Sequence, residues 1–161
     1  MPRFRQTRIG RIGIAERSEA VSRLYLPGEA VPNHASEMDE DAFSPLLREA
    51  FAQLEAYLEG KLRRFDLPLG AEGTPFMHGV WRAVSAIPYG ATASYKEIAA
   101  AVGNVKAVRA VGLANNRNPI PIFIPCHRVI GSNGKLVGYG GGLEMKRRLL
   151  DLERPLLKTV S

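Results

Sequence analysis

The hydrophobic pattern of the chain changes its period near residues 70–74, and this change restricts the fold to two lobes of different structure. Between residues 7 and 27, apolar residues occur at spacings typical of strands, on both sides of a polar Glu16–Glu19 turn. After residue 75, apolar residues recur every three or four positions, as on one face of a helix. The pattern predicts an α+β fold with domains over 1–74 and 75–161.

The first lobe is predicted to be a small sheet with one helix. Ser44 is an N-cap followed by Pro45 at the first helical position, and the helix ends by Gly60. Its apolar face consists of Leu47, Phe51, Leu54 and Leu58. Residues 64–69 are predicted to return as a third strand, and the acidic residues 28–41 to form an exposed loop.

The second lobe is predicted to be mostly helical. One helix presents Phe76, Val80, Trp81 and Val84 on a single face. A second helix begins after Ser94, and a third runs from about Val105 to Asn116. Two helices joined by a short turn that contains Gly103 have the layout of a helix-turn-helix motif, in which the second helix meets DNA.

All of the basic excess of the chain lies in the second lobe. Residues 1–74 contain 10 basic and 12 acidic side chains, whereas residues 75–161 contain 12 basic and 4 acidic ones. This asymmetry indicates a polyanionic partner for the second lobe, although a solvated basic face would give the same count. The candidate residues for DNA contact are Lys106, Ala107, Arg109, Ala110, Gly112 and Arg128.

Composition excludes several other classes of protein. A single cysteine excludes an internal disulfide, and three histidines without ligand spacing predict that the chain holds no metal. The apolar runs are too short for a membrane span, and the N-terminus lacks the pattern of a signal peptide. We therefore expect a soluble, cytoplasmic protein that needs no cofactor and has no membrane partner.

Cys126 is the strongest candidate for chemistry. Three prolines within residues 118–125 precede it, and because each fixes φ and removes a backbone donor, the segment is predicted to be stiff. His127 and Arg128 follow directly, and cationic neighbours lower the pKa of a thiol and favour the nucleophilic thiolate. A buried, inert cysteine is the alternative. The stiff frame and the two basic neighbours favour a reactive one.

The segment Pro125–Val129 (Pro-Cys-His-Arg-Val) resembles the active-site signature of the O6-alkylguanine-DNA alkyltransferase family. The resemblance extends over residues 75–155 in order and without gaps. Further matching positions are Val80, Trp81, Ile87, Pro88, Tyr95, Ala107–Gly112, Asn118, Pro119, Gly138, Tyr139, Gly141–Leu143, Lys146, Leu149 and Leu150. The resemblance implies a ribonuclease H-like first lobe, which matches only in outline, and a winged helix-turn-helix second lobe that carries the active-site cysteine.

The resemblance also implies a role for each matching residue. Cys126 would accept the alkyl group from guanine O6, with His127 as its base through a bound water and Glu153 orienting that histidine. Asn118 would brace the active-site segment, and Tyr95 would contact the flipped base and stabilise the departing guanine. Tyr139 would line the alkyl pocket, and Val129 and Gly140 would make backbone contacts to the base. Arg109 would fill the gap that the flipped base leaves in the duplex.

Part of this assignment also follows from the residues alone. Glu153 lies four residues after Leu149 and therefore on the apolar face of the last predicted helix. A carboxylate is costly to bury unless it is paired, so Glu153 there needs a partner such as His127. A glutamate that reaches solvent at the helix end is the alternative. Tyr95 lies on an apolar face as well, where an ordinary core tyrosine is the simpler interpretation.

The family resemblance implies direct-reversal DNA repair. The alkyl group of O6-alkylguanine in double-stranded DNA would pass irreversibly to Cys126 after base flipping, in a single turnover. The resemblance also implies contacts to the minor groove and to phosphates without sequence specificity, and a protein that is a monomer in solution. Two questions stay open: whether O4-alkylthymine is a second substrate, and whether the protein assembles cooperatively on DNA. Some members hold zinc through cysteines of the first lobe, which this chain lacks, and a serine of some members is Gly140 here.

Three alternatives stay open at this point. A cysteine hydrolase also combines a cysteine, a histidine and an acid, but its partners are usually far apart in sequence, whereas His127 adjoins Cys126. A helix-turn-helix regulator would bind DNA sequence-specifically whether or not Cys126 is present. The alkyltransferase-like damage sensors lack the acceptor cysteine, which this chain retains.

Overall fold

The computed structural model describes residues 2–30 and 42–154, and the chain divides into two compact units, Met1–Glu72 and Gly73–Ser161. The first unit contains a small antiparallel sheet and a helix, and the second is mostly helical. The predicted α+β class is therefore confirmed. Most of the predicted acidic loop at 28–41 lies outside the described residues. Within the described ranges, no helix is long and apolar enough to cross a membrane.

The sheet of the first unit has three strands, β1 (Arg3–Thr7), β2 (Gly10–Arg17) and β3 (Ala20–Tyr25), paired in that order. The predicted hairpin is confirmed as β2 and β3, with a tighter turn at Ser18 and Glu19. Both turn residues have positive φ, 52° and 64°, as a two-residue hairpin turn requires.

Two features of this sheet differ from the prediction. Strand β1 was missed because Phe4 is its only buried residue and arginines stand on both sides of it. The third strand expected at residues 64–69 is wrong, because only Leu69 forms a bridge, with Val21. Pro68 lacks the N–H that a regular ladder at this point would need.

The helix of the first unit, α1 (Pro45–Leu58), begins and ends as the sequence predicts. The Ser44 hydroxyl accepts a hydrogen bond from the Leu47 N–H at 3.1 Å, and Gly60 follows the helix with φ of 78°. The apolar face that packs on β2 and β3 consists of Leu47, Phe51, Leu54 and Leu58, all of them buried.

The second unit contains four helices among its described residues, α2 (Pro75–Ser85), α3 (Tyr95–Ala101), α4 (Val108–Asn116) and α5 (Leu143–Glu153). Ser94 and Glu97 form a capping box at the start of α3. Helices α3 and α4 pack together as the predicted helix-turn-helix pair. Helix α4 begins three residues later than expected, because residues 102–107 form the turn. Two-residue strands β4 (Ala93–Ser94) and β5 (Val129–Ile130) pair in parallel.

Helix α2 fixes the position of α4 through one tryptophan. Trp81, Val80 and Val84 are buried as predicted, whereas Phe76 is 37% exposed and does not belong to the core face. The Trp81 indole Nε1–H donates to the Ala114 carbonyl oxygen at 2.9 Å, inside the unit. Because Ala114 lies in the last turn of α4, this bond satisfies a carbonyl that the helix itself leaves open.

We expect Trp81→Phe to lower the free energy of unfolding by about 2 kcal/mol, because the Ala114 carbonyl is then buried without its donor. Urea unfolding followed by circular dichroism measures the effect, since the variant loses the only tryptophan. The matched control is Phe76→Leu, at an exposed position of the same helix, which should change stability by less than about 0.5 kcal/mol. Equal stability of the two variants would contradict the structural role of the indole bond.

Candidate active site

The segment before the cysteine, residues 118–125, is a tight turn that one asparagine holds at both ends. The Asn118 side-chain oxygen accepts from the Ile120 N–H at 2.9 Å, and its amide nitrogen donates to the Ile124 carbonyl at 2.9 Å. Between them, buried Ile122 has φ of 73°, which is strained for a β-branched residue. We call residues 118–125 the strap; Asn118 lies where it can keep the strap in this conformation.

Cys126 follows the strap as the first residue of a 3-10 turn, Cys126–Arg128, and is only 5% exposed. Burial raises the pKa of its thiol to about 11. A hydrogen bond from the Asn118 side chain and the positive charge of Lys146 act in the opposite direction and lower this pKa. His127 and Arg128, next to Cys126 in the sequence, were expected to lower this pKa. That expectation is wrong, because the Arg128 guanidinium and Nε2 of His127 are directed at another partner.

That partner is the carboxylate of Glu153, at the end of α5. His127 Nε2 lies 2.7 Å from Glu153 Oε2, and Arg128 donates from Nε to Oε1 at 2.9 Å and from Nη2 to Oε2 at 3.0 Å. The Gly90 N–H donates to Oε1 at 3.3 Å. The structure thus brings together the predicted pair of His127 and Glu153. Burial lowers the pKa of His127, while the hydrogen bond and charge of Glu153 act to raise it.

Arg128 is buried and not available to DNA. It was expected among the residues that contact DNA, and this expectation is wrong because the residue is only 6% exposed. Besides its two bonds to Glu153, its Nη1 donates to the Ile87 carbonyl at 2.7 Å, and the guanidinium lies 5.8 Å from the centre of the Tyr89 ring. A guanidinium held in this way cannot reach a phosphate. Arg128 instead joins the 3-10 turn to the segment after α2.

Lys146 is a second buried charge near the cysteine. It lies on the same face of α5 as Leu149 and Glu153, and it is fully buried. Its Nζ donates to the carbonyls of Val137 at 2.8 Å and Gly138 at 3.2 Å. Burial lowers its pKa to about 8, so it still carries its charge at neutral pH. Lys146 was predicted only as a position that matches the family, although a lysine on the apolar face of the last helix already indicates a buried charge.

Tyr95 is the first residue of α3. Because it is only half-buried, it is not an ordinary core residue. Its hydroxyl donates to the Val137 carbonyl at 2.9 Å, the same oxygen that Lys146 contacts. Burial raises the pKa of Tyr95, and the negative charge of the Cys126 thiolate raises it further. Interaction with the Asn115 side chain acts in the opposite direction and lowers this pKa. The structure therefore brings Tyr95 and Cys126 into one site.

Asn115 was missed by the sequence analysis. It is 2% exposed, and its amide nitrogen donates to the Cys126 carbonyl at 3.3 Å. The signal available in the sequence was its spacing, because Asn115 lies four residues after buried Val111 on the inner face of α4. A polar amide on such a face needs a partner inside the protein.

The other predicted pocket residues lie on the two segments that follow the cysteine. Val129 is buried in β5, opposite Ala93 of β4. Tyr139 is half-buried and Gly140 is exposed, in the loop between β5 and α5. This loop contains the carbonyls of Val137 and Gly138 that Lys146 holds. The loop is thereby fixed at its centre, next to Tyr139.

The predicted DNA-contacting residues of α4 and its preceding turn separate into an outer and an inner set. Lys106, Arg109 and Ala110 are exposed, and Ala107 is half-buried. Gly112 faces inward, since a Cβ built there would lie 3.8 Å from the Tyr95 ring. Within the described ranges, no group of three or more His, Cys, Asp or Glu residues could hold a metal ion.

The arrangement can support nucleophilic substitution by sulfur. Cys126 can act as the nucleophile, because the charge of Lys146 favours its thiolate. The ring of His127, paired with a carboxylate, can take a proton, and the Tyr95 hydroxyl can supply a hydrogen bond to a leaving group.

We expect Lys146→Met to slow alkylation of Cys126 by iodoacetamide about tenfold at pH 7, the effect of a thiol pKa raised by about one unit. The difference should shrink as the pH rises above 8, because Lys146 loses its own proton there. Rates between pH 6.5 and 9.5, measured by mass spectrometry, test both points. Arg147→Met, an exposed neighbour, is the control; a rate ratio that stays constant with pH would contradict the electrostatic role.

The chain is similar to known proteins over most of its length. A family model described as "6-O-methylguanine DNA methyltransferase, DNA binding domain" matches residues 75–155, and one described as the "ribonuclease-like domain" of the same enzyme matches residues 3–71. Methylated-DNA–protein-cysteine methyltransferase of Methanosarcina barkeri is 62% identical over 136 residues, 84% of this chain and 80% of the relative. The constitutive enzyme of Bacillus subtilis is 48% identical over 152 residues, 92% of each chain.

Solved structures are similar over the same length. The crystal structure of Mycobacterium tuberculosis OGT in complex with DNA has a TM-score of 0.86 and 45% identity, covering 96% of this chain and 92% of that one. The O6-methylguanine methyltransferase of the same organism gives a TM-score of 0.84 at 44% identity, with the same coverage of both chains. With both family models matched in order along almost the whole length, the chain belongs to the 6-O-methylguanine DNA methyltransferase family.

Proposed function

We propose that the protein repairs alkylated DNA by transferring the alkyl group from guanine O6 to its own Cys126, once per molecule. The proposal rests on the surroundings of Cys126. Its thiol directly follows the strap and interacts electrostatically with the positive charge of Lys146 and with the Tyr95 side chain. Relatives at 48–62% identity bear the name of this activity, and a similar structure was solved with DNA.

The chemical step is a direct displacement at the alkyl carbon. The Cys126 sulfur forms a bond to that carbon while the bond from carbon to O6 breaks, and its electron pair stays on the departing guanine. The thiol proton passes to His127 through a bound water. Because a carboxylate only accepts, Nε2 of the neutral ring carries its hydrogen towards Glu153, and Nδ1 is the accepting nitrogen. Tyr95 donates a hydrogen bond to the guanine as it becomes anionic. The thioether formed is stable, so the protein reacts once.

The alkylated base must leave the duplex before it can react. Extruding a nucleotide costs a few kcal/mol, and less for a lesion that pairs badly. The exposed face of α4 and of its preceding turn combines Lys106 and Arg109 with small Ala110, which suits close approach to a groove and its phosphates. We propose that this face binds the minor groove without sequence specificity, that Arg109 enters the space left by the base, and that the protein acts as a monomer.

The decisive experiment incubates the reduced protein with duplex DNA containing O6-methylguanine and weighs the intact protein. We expect a gain of one methyl group on Cys126, which stops at one per molecule, and no gain for Cys126→Ala. Repeated turnover would indicate a hydrolase instead. Sequence-specific DNA binding without any gain of mass would indicate a regulator. Either outcome would contradict the proposal.

We expect Arg109→Ala to slow repair of duplex O6-methylguanine by about tenfold or more, because the extruded state loses the side chain that replaces the base. The reaction with the free base O6-benzylguanine needs no extrusion and should keep its rate. Rapid-quench measurements with both substrates test this split. Arg147→Ala, an exposed arginine of α5, is the control for a general loss of charge; equal slowing on both substrates would argue against the role of Arg109.

A further inference from the structure

We propose that Arg128 is a positioning residue for alkyl transfer, which keeps His127 neutral by sharing the carboxylate of Glu153 with it. The inference rests on the proposed function and concerns the same site. The three side chains are in direct contact, because Nε2 of His127 lies 2.7 Å from Oε2 of Glu153 and Nη2 of Arg128 donates to the same oxygen at 3.0 Å. A base must be neutral before it takes a proton, so the group that sets the charge of His127 also controls the reaction of the thiol.

The carboxylate of Glu153 has donors on both of its oxygens. Oε2 accepts from His127 and from Nη2 of Arg128, and Oε1 accepts from Nε of Arg128 at 2.9 Å and from the Gly90 N–H at 3.3 Å. A carboxylate offers about four acceptor positions, and the planar guanidinium of Arg128 takes two of them. Its Nη1 also donates to the Ile87 carbonyl at 2.7 Å, which fixes the guanidinium from a second side. The negative charge of Glu153 is therefore divided between an ion pair with Arg128 and the histidine.

The charged and titratable groups around the histidine ring belong to three elements. The 3-10 turn contributes Arg128 and the cysteine, and α5 contributes Glu153 and Lys146. The two such residues of α2, which also packs on the turn, are His78 and Arg82, and both are exposed. Arg128 is the cation that bonds to Glu153, whereas Nζ of Lys146 donates to two loop carbonyls. Loss of Arg128 would therefore leave the ring in contact with the carboxylate without the cation that balances it.

The charge of the ring decides whether it can act as a base. Burial lowers the pKa of His127, the hydrogen bond and charge of Glu153 raise it, and the charge of Arg128 lowers it. With Arg128 in place the ring is neutral, and Nδ1 can accept a proton. Without Arg128, the buried carboxylate would favour a second proton on the ring, because a buried charge is costly until it is paired. Both ring nitrogens would then be donors, and the thiol proton would have no acceptor on His127.

The same contacts allow the ring to become positive during the reaction. Arg128 shares Oε2 of Glu153 with the ring but does not displace the ring from it. When Nδ1 takes the thiol proton, the carboxylate at 2.7 Å stabilises the new charge. The arrangement therefore favours a neutral ring before transfer and supports a charged one while the sulfur reacts.

Removal of the charge of Arg128 tests this assignment with two readouts. In Arg128→Met, NMR titration of ring-labelled histidine should show that His127 takes up its proton at higher pH than in the unmodified protein. The His127 signal is identified by its loss in His127→Gln. Single-turnover methyl transfer from duplex O6-methylguanine at pH 6.5 should be about tenfold slower in Arg128→Met, the loss when about one ring in ten stays neutral. The difference from the unmodified protein should shrink towards pH 9, where the ring loses its extra proton.

The controls separate the charge of Arg128 from its structural contacts. Arg128→Lys keeps the positive charge, so any slowing that it causes should be the same at every pH. Arg82→Met removes an exposed arginine of α2 and should change neither the histidine titration nor the rate. Arg128→Gln keeps hydrogen-bond donors without the charge and replaces Arg128→Met if that variant does not fold.

The outcomes distinguish this inference from the proposed function. An unchanged titration of His127 in Arg128→Met, or a rate ratio that stays constant with pH, would overturn the inference while methyl uptake by the unmodified protein upholds the proposed function. If the unmodified protein takes up no methyl group, the proposed function fails, and the role of Arg128 in alkyl transfer fails with it.

Discussion

The buried carboxylate of Glu153 is the interaction on which the active site depends. A carboxylate taken out of water loses several kcal/mol of solvation, which is recovered only when its oxygens accept well-placed hydrogen bonds. Here they accept from His127, from two nitrogens of Arg128 and from the Gly90 backbone. Glu153 thereby joins the end of α5, the 3-10 turn and the segment after α2. Because Cys126 is the first residue of that turn, the position of its sulfur follows from where the carboxylate lies.

This use of charge explains why the residues beside the cysteine do not supply the positive charge that acts to lower the pKa of its thiol. His127 and Arg128 are occupied with Glu153, so the positive charge that acts on the thiol comes from Lys146, twenty residues further along the chain. Lys146, Leu149 and Glu153 share one face of α5, since they lie three and four residues apart. One helix therefore delivers both the cation that favours the thiolate and the anion that holds the histidine. Its apolar residue between them fixes the helix in the core.

The sequence predicted those features that depend on local chemistry. Ser44-Pro45 and Ser94 mark helix starts, and the short turn around Gly103 indicates the helix-turn-helix pair of α3 and α4. The predictions failed where the decisive partner is distant along the chain. Arg128 was misassigned because its partner Glu153 lies twenty-five residues away, and β1 was missed because its pairing with β2, rather than its single buried Phe4, makes it a strand. Asn115 was overlooked because an amide shows its importance only when the facing carbonyl of Cys126 is known.

Helix α4 connects the proposed DNA-binding surface to the chemistry through its two faces. Its outer face and the preceding turn expose Lys106 and Arg109, while its inner face brings Gly112 against the Tyr95 ring and Asn115 to the Cys126 carbonyl. Trp81 fixes the end of the same helix through the Ala114 carbonyl. Because α4 is held at several points along its length, its outer face keeps a fixed position relative to Cys126 and Tyr95. DNA bound on the outer face would therefore meet a thiol and a phenol that are already in place. The free-energy cost of ordering the site is then met when the protein folds, and not during the reaction.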